Sequence, residues 1–344
     1  MGLKFKEIVA GKEITLADLK GKILAVDTMN MLYQFLTTIR SADGSALTDS
    51  QGKITSHLIG LFNRVTALME QGIKLIFVFD GKPPEIKRKT WEKRAEIKQQ
   101  ASLKLKEAEQ RGNLAEMKKF ASRTAVLTKE MIEEAKKLIA ALGLPVIQAP
   151  SEGEAQTAYL ARKEDAYASV SQDYDNLIFG CPRLIKNLSI AGKRKKAGTL
   201  SYQTVKPEII LLSEVLKELQ LNQDQLIILA ILVGTDYNPG GIKGIGPKKA
   251  LKLIKENVDY ESIFQAANWP SHYPDLDWRE LFSLIKQIPV TDDYILEWKP
   301  TDSRKIIELL VEGHDFSRER VVSKLDSLQA ELKKYQQKGL KQFI

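Results

Sequence analysis

Two apolar runs, each closed by an aspartate, constrain this chain more than any other feature. Lys22-Ile23-Leu24-Ala25-Val26 ends at Asp27, and Lys74-Leu75-Ile76-Phe77-Val78-Phe79 ends at Asp80. Short runs that are apolar on both faces read as buried strands. Between them Leu58, Ile59, Leu61, Phe62, Val65, Leu68 and Met69 recur at helical spacing, and Gly72 stops that helix. The alternation continues with a helix from Thr128 to Leu142, which carries Met131, Ile132, Ala135, Leu138, Ile139 and Leu142 on one stripe. Gly143 and Pro145 end it. A strand from Pro145 to Gln148, a helix from Ser151, a strand from Ala166 to Ser171 and an apolar run at Leu177-Ile178-Phe179 follow. Strands of this kind, separated by helices, predict an α/β fold: a mainly parallel central sheet with helices on both faces. At 344 residues the chain is one large domain with insertions, or two fused lobes.

Several classes are excluded. No run approaches the ~20 apolar residues of a membrane span. Met1-Gly2-Leu3-Lys4-Phe5-Lys6 lacks the apolar core and cleavage site of a secretion signal. The single cysteine, Cys181, forms no internal disulfide, and with three scattered histidines it builds no zinc site. An intracellular, reduced, monomeric protein is expected. The charge is 52 Lys+Arg against 44 Asp+Glu, a net of +8, which favours polyanionic partners. Lys82 to Arg123 carries 13 basic and 6 acidic residues, a net of +7, and so nearly all of the excess. That stretch is helix-prone with few large apolar residues. It is either a solvated helical insertion or a basic arm over a groove, ordered by a polyanion. Lys193-Arg194-Lys195-Lys196 reads as the exposed tip of a strand connection. Residues after about Asn222 read mainly as helices, and Phe316 to Gln337 is a helix-prone charged tail. The expected organisation is a core from 1–81 and 128–221, an insertion at 82–127, a helical region at 222–315 and a tail at 316–344.

Carboxylates mark the candidate site. Asp27 and Asp80 stand at strand C-termini, the edge of an open α/β sheet where ligands bind. Asp173 and Asp175 follow the Ala166–Ser171 strand, Glu152 and Glu154 lie at a helix start, and Asp236 closes the apolar run Leu226 to Val233. Each also has a local role available. Ser151-x-x-Glu154 is a capping box, Asp27 can cap a helix, and Asp236 can sit in a turn. Together, however, one sheet edge gathers several of them. Seven carboxylates in one pocket repel and take up protons, and two divalent cations would bring −7 to −3. Oxygen donors without Cys or His select Mg²⁺ or Mn²⁺. Two such ions ~4 Å apart stabilise the attacking and leaving oxygens of a phosphodiester.

The second informative motif is Gly244-Ile245-Gly246-Pro247-Lys248-Lys249-Ala250. The glycines permit a tight turn, and Pro247 suits a helix first turn. The helix start would offer N–H groups to a phosphate, with Lys248 and Lys249 adding charge. The competing reading is a plain helix–turn–helix packing element.

In this order the motifs resemble the structure-specific 5′-nuclease superfamily, and most closely the flap endonucleases, over essentially the whole chain. The resemblance rests on Met1-Gly2-Leu3, Val26-Asp27-Thr28 with Tyr33-Gln34-Phe35-Leu36, Thr55-Ser56-His57-Leu58 and Phe79-Asp80-Gly81-Lys82-Pro83-Pro84. Ala149-Pro-Ser-Glu-Gly-Glu-Ala155, Gln172-Asp-Tyr-Asp-Asn-Leu177 and Gly234-Thr-Asp-Tyr237, followed by Gly244-Ile-Gly-Pro247, complete it. The loop from Asn238 gives it an archaeal look. The resemblance implies hydrolysis of DNA at 5′-flap junctions in lagging-strand maturation and repair, with 5′-exonuclease activity. It also implies a short 3′ flap among the accepted substrates. By the same token Asp27, Asp80, Glu152 and Glu154 would serve one Mg²⁺, and Asp173, Asp175 and Asp236 the other, with Mn²⁺ able to substitute. Lys87 and Arg94 would approach the scissile phosphate at the base of a helical arch formed by 82–127. Tyr33 would stack near the reacting nucleotide, and Gly2 would lie near the site. Arg40 and Arg64 would touch DNA, and Gly244, Gly246, Lys248 and Lys249 would hold duplex with a K⁺ ion. Gln337, Leu340, Phe343 and Ile344 resemble the family's sliding-clamp-binding peptide, with Ile344 where an aromatic is usual. Glu331 to Lys338 is too polar to need burial, so that peptide should be mobile when unbound. Two other readings stay open: a junction nuclease for bubbles or nicks, and a non-catalytic DNA-binding scaffold at the clamp.

Overall fold

The computed structural model describes residues 3, 5–41, 44–121, 124–190, 192–195 and 202–340. The apolar runs do form the sheet. Its strands are β1 (Lys12–Glu13), β2 (Ile23–Asp27), β3 (Lys74–Phe79), β4 (Val146–Gln148), β5 (Ala168–Val170) and β6 (Arg183–Lys186). A separate hairpin, β7 (Gly192–Lys195) and β8 (Tyr202–Val205), leads to the last strand, β9 (Glu208–Leu211). The order across the sheet is β1-β9-β6-β5-β2-β3-β4. β2 pairs in parallel with β3 and β5, β4 pairs in parallel with β3, and β6 with β5. β9 is the exception and runs antiparallel to β6. Its connection from β6 is a hairpin rather than a crossover helix, and a hairpin returns the chain in the opposite direction.

Burial on both faces explains why the central strands are apolar throughout. On β2, Leu24 and Val26 pack into one apolar cluster, and Ala25 packs into another. The first face is covered by α1 (Thr28–Thr38), α2 (Ser56–Glu70) and, beyond the insertion, α5 (Lys129–Ala141). A Cβ at Gly60 would lie 2.3 Å from the Phe35 ring, so glycine is what lets α2 approach α1. The insertion itself is a helical pair, α3 (Arg88–Gln110) and α4 (Leu114–Ala121). The opposite face carries α6 (Gly153–Arg162), α7 (Asp175–Ile178) and α8 (Leu212–Leu219). The run Leu177-Ile178-Phe179 therefore belongs to a short helix and its turn.

α9 (Gln223–Val233) is buried at every position from Leu226 to Val233, as its unbroken apolar sequence requires. Then come α10 (Pro247–Glu256), α11 (Tyr260–Ala266), α12 (Trp269–His272), α13 (Trp278–Lys286), α14 (Ser303–Ile307) and α15 (Arg318–Leu340). The expectation that Glu331 to Lys338 needs no burial fails at two residues. Leu332 packs against the core, and the Tyr335 hydroxyl donates to the Glu70 carbonyl at 3.0 Å while Lys20 sits over its ring. A single aromatic anchors a segment that its average polarity would leave in solvent. Among the described residues no helix is long and apolar enough to cross a membrane.

Candidate active site

The topology makes a crevice. From β2 the chain moves out through β3 to β4, then returns to β5 on the other side of β2. Such a reversal opens a gap at the strand C-termini, between the loops that leave in opposite directions. Asp27 ends β2 and caps α1, with Oδ1 accepting from the Asn30 amide at 3.1 Å. Its other oxygen accepts from the Ser171 hydroxyl at 3.2 Å, so helix capping and membership of the acid cluster coexist. Asp80 follows β3, and its Oδ1 accepts from the Gly153 amide at 2.8 Å. A Cβ at Gly153 would stand 2.6 Å from that oxygen, so the position needs glycine.

Glu152 and Glu154 enter from β4 at the start of α6. The expected capping box does not form. Glu152, not Ser151, takes the N-cap position, without a side-chain cap bond. The buried Ser151 hydroxyl has no hydrogen-bond partner. Both glutamates instead turn into the crevice. Ser171 Oγ also lies 3.3 Å from Glu154 Oε1, so its one hydroxyl proton is shared between Asp27 and Glu154, and Glu152 Oε2 accepts from the Lys87 ammonium at 2.6 Å. After β5, Asp173 accepts from Asn30 Nδ2 at 2.9 Å, and Asp175 accepts from the Leu3 amide at 3.1 Å. That last bond draws the N-terminal segment to the site; Gly2 lies outside the described residues. Asp236, past α9, stands 3.4 Å from Lys87.

The seven acids repel one another. Burial, with Asp80 and Asp173 nearby, pushes the Asp27 carboxyl up to about 8. Burial, with Asp173 and Asp236, pushes Asp175 up to about 7. Glu154 is raised well above its ordinary range by burial and by Asp175, Asp27 and Asp173, and burial also raises Asp80 and Glu152. Burial alone would lower Lys87, but Glu152, Asp236 and Glu154 more than reverse this and keep it a firm cation. One positive charge thus stands among carboxylates that need more. Among the described residues no group of three His, Cys, Asp or Glu side chains is already arranged to hold a metal ion. The donor chemistry nonetheless fits a hard cation. Every donor is oxygen, and Glu152 Oε1 is buried without any hydrogen-bond partner.

The other expected residues fall in two groups. Tyr33 projects from α1, 39% exposed, with Lys98 of α3 5.7 Å from its ring centre. Lys87 closes a 3₁₀ turn, Glu85–Lys87, so α3 begins one residue later than a helix running through Lys87 and Arg94 requires. Arg94 lies on α3, and its side chain is outside the described part. Gly246 caps α10, Gly244 has φ +83°, Pro247 opens the helix, and Lys248 and Lys249 are exposed beside it. Arg40 folds back onto its own loop, donating to the Thr37 and Gly44 carbonyls at 3.2 and 2.9 Å. Arg64 is half-buried on α2. Gln337 and Leu340 lie on the last turn of α15, while Phe343 and Ile344 are outside the described residues. Sequence reasoning missed Ser171, Asn30 and Thr90. Ser171 bonds to two acids, Asn30 fixes Asp27 and Asp173, and the buried Thr90 hydroxyl donates to the Asp236 carbonyl oxygen. None of them belongs to a motif that marks it.

Known proteins resemble this chain in sequence and in fold. Residues 3–101 match the XPG N-terminal domain, and residues 143–236 match the XPG I-region. The chain is 51% identical to flap endonuclease 1 of Pyrococcus abyssi over 344 residues, covering 100% of this chain and 98% of that protein. Flap endonuclease 1 of Hyperthermus butylicus is 49% identical, covering 99% and 98%. Among solved structures, flap endonuclease-1 from Methanococcus jannaschii superposes with a TM-score of 0.75 at 41% identity, covering 97% of this chain and 100% of that one. The catalytic core of Rad2 in complex with DNA substrate shares the fold, with a TM-score of 0.69 at 23% identity, covering 95% and 100%.

Proposed function

The chain belongs to the flap endonuclease family, and from that membership we propose how its acidic crevice works on branched DNA. The protein is a structure-specific, divalent-metal-dependent nuclease, a hydrolase of DNA phosphodiesters. We infer that the metal is Mg²⁺, replaceable by Mn²⁺, and that two ions bind. Asp27, Asp80, Glu152 and Glu154 would hold one, and Asp173, Asp175 and Asp236 the other. When bound, such ions supply Lewis-acid stabilisation of the charge that builds on a phosphodiester in flight.

The remaining work falls to side chains of the chain. Ser171 and Asn30 hold Asp27, Glu154 and Asp173 in place, which preserves the spacing of the acids against their repulsion. Lys87, at the root of the arch, is positioned to meet a phosphate oxygen that enters the crevice, and Arg94 lies in the second turn of α3. Tyr33 offers an aromatic face to a base beside the site. The turn at Gly244 and Gly246, with Lys248 and Lys249, grips duplex phosphates without reading sequence and has room for a K⁺ ion. Arg64 adds a further backbone contact, and Arg40 acts by shaping its loop. Core, arch, helical region and tail then divide as 1–81 with 128–221, 82–127, 222–315 and 316–344. The tail peptide with Gln337, Leu340, Phe343 and Ile344 would tether this intracellular, monomeric enzyme to a sliding clamp.

The observation that supports this reading is the convergence of seven carboxylates from five separate chain segments on one sheet edge. Labelled 5′-flap, bubble, nicked and single-stranded DNAs test it, each with Mg²⁺ and with EDTA. Flaps should be cut in Mg²⁺ only, and Asp173→Ala should abolish cutting while junction binding persists. Activity undiminished in EDTA, or near-normal turnover by that variant, would overturn it.

A further inference from the structure

The arch and the acids meet at Lys87. Its side chain is 11% exposed, with the ammonium 2.6 Å from Glu152 Oε2, 3.4 Å from Asp236 Oδ2 and 5.3 Å from the centre of the Tyr237 ring. One residue before it, Ile86 packs against the apolar cluster that contains α9. Three residues after it, the Thr90 hydroxyl bonds to the carbonyl of the same Asp236. The root of α3 is thus fastened into the crevice by an ion pair, a neutral hydrogen bond and an apolar contact. The two acids that hold Lys87 fall one in each of the carboxylate sets assigned above to the two cations.

Glu152 Oε2, which holds an ammonium at 2.6 Å, has no free space in that direction for a second cation, and a cation drawn to the orphaned Oε1 of the same carboxylate would stand close enough to that ammonium to repel it. We propose that Lys87 and the divalent cations are alternative occupants of the same carboxylates, so that metal binding displaces Lys87 and loosens the root of the arch. The inference rests on the metal site proposed above. Its consequence follows from reciprocity: whatever seats the arch root in the crevice weakens metal binding, and metal weakens the seat by the same factor. A substrate phosphate offers the displaced ammonium a new anion, so DNA and metal should each favour the other. Lys87 would then report metal occupancy to the helix that the flap must pass.

Mn²⁺ alone, titrated into the full chain and followed by electron paramagnetic resonance of the free ion, tests this without any cleavage readout. Lys87→Met should bind Mn²⁺ about tenfold more tightly than the parent, equal to ~1.4 kcal/mol. Hydrogen exchange at residues 92–98, in the second and third turns of α3, provides the second measurement. Mn²⁺ should speed it in the parent, and in Lys87→Met it should be fast with or without Mn²⁺. Thr90→Val keeps the charge and removes the neutral bond; it should also speed that exchange and tighten Mn²⁺ about twofold, ~0.4 kcal/mol. This second variant keeps the test decisive if Lys87→Met folds poorly. Equal or weaker Mn²⁺ binding by both variants would overturn the proposal. So would tighter binding with no effect of Mn²⁺ on exchange in the parent, since Lys87 would then act through its charge alone. If the parent and both variants fail to bind Mn²⁺ at all, the metal assignment itself falls, and this inference with it.

Discussion

Replacing Asp27 with Asn should stabilise the protein in EDTA while destroying its response to metal. Burial and the neighbouring acids raise this group to about 8 from the ordinary carboxyl value of 3.8. Asp27 keeps its proton in the folded chain, whereas the unfolded chain releases it near pH 4. The stability this group contributes is therefore full below pH 4 and is lost as pH rises through about 8. Each pH unit of that window is about 1.4 kcal/mol, so the upper bound is ~5–6 kcal/mol. Asp80 and Asp173 share the same repulsion, and roughly half of the cost, ~2–3 kcal/mol, falls to Asp27. Asparagine has no charge to lose, still caps α1 through its side-chain oxygen, and fits the same space.

At about 2.1 cal/mol/K of unfolding entropy per residue, a chain of this length gains ~3–4 °C in Tm from that difference. Calorimetric scans of parent and variant in EDTA should coincide near pH 4–5 and diverge by that amount at pH 8–9, with the variant the more stable. In Mg²⁺ at pH 8 the order should reverse, because the parent gains binding energy that the variant largely forfeits. A variant less stable than the parent in EDTA at pH 9, or a difference that does not vary with pH, would show that Asp27 is held as an ordinary ionised cap. Repulsion among the acids would then not be what creates the demand for metal.

Two further outcomes are expected. His57 is fully buried with no hydrogen-bond partner at either ring nitrogen, and burial plus the nearby His314 push it down to about 4. Its contribution to stability is full above the unfolded value near 6.5 and is lost as pH falls toward 4. Denaturant titrations should show His57→Gln flattening the acid limb by ~1–2 kcal/mol, and an unchanged limb would refute it. Replacing Lys248 and Lys249 with Ala should weaken binding to all duplex sequences alike and reduce the salt slope by up to about two, read by titrations at several salt concentrations; an unchanged slope would remove them from the interface.

What the sequence disclosed and what it concealed divide along a physical line. β2 and β3 were legible because a strand buried on both faces must be apolar at every residue, and Asp27 and Asp80 stood out because each closes such a run. The site acids were legible for a related reason: like charges at one sheet edge are costly, so their presence demands an explanation. The direction of β9 was hidden, since Glu208–Leu211 carries no mark of its partner and only the β7–β8 hairpin turns it antiparallel. The Ser151 capping box was locally sound and lost to the crevice, which draws Glu152 toward Lys87, 65 residues distant in the chain. Ser171 and Asn30 were illegible because a hydroxyl or an amide is neutral, common and content in water. Nothing in composition shows that one of them will be asked to satisfy two carboxylates. Tyr335 escaped for the converse reason: a window average cannot register one ring that settles over Gly72 from a polar stretch of α15. Groups that are expensive to bury announce a site from sequence. The neutral groups that make their burial tolerable become visible only when the fold has brought them together.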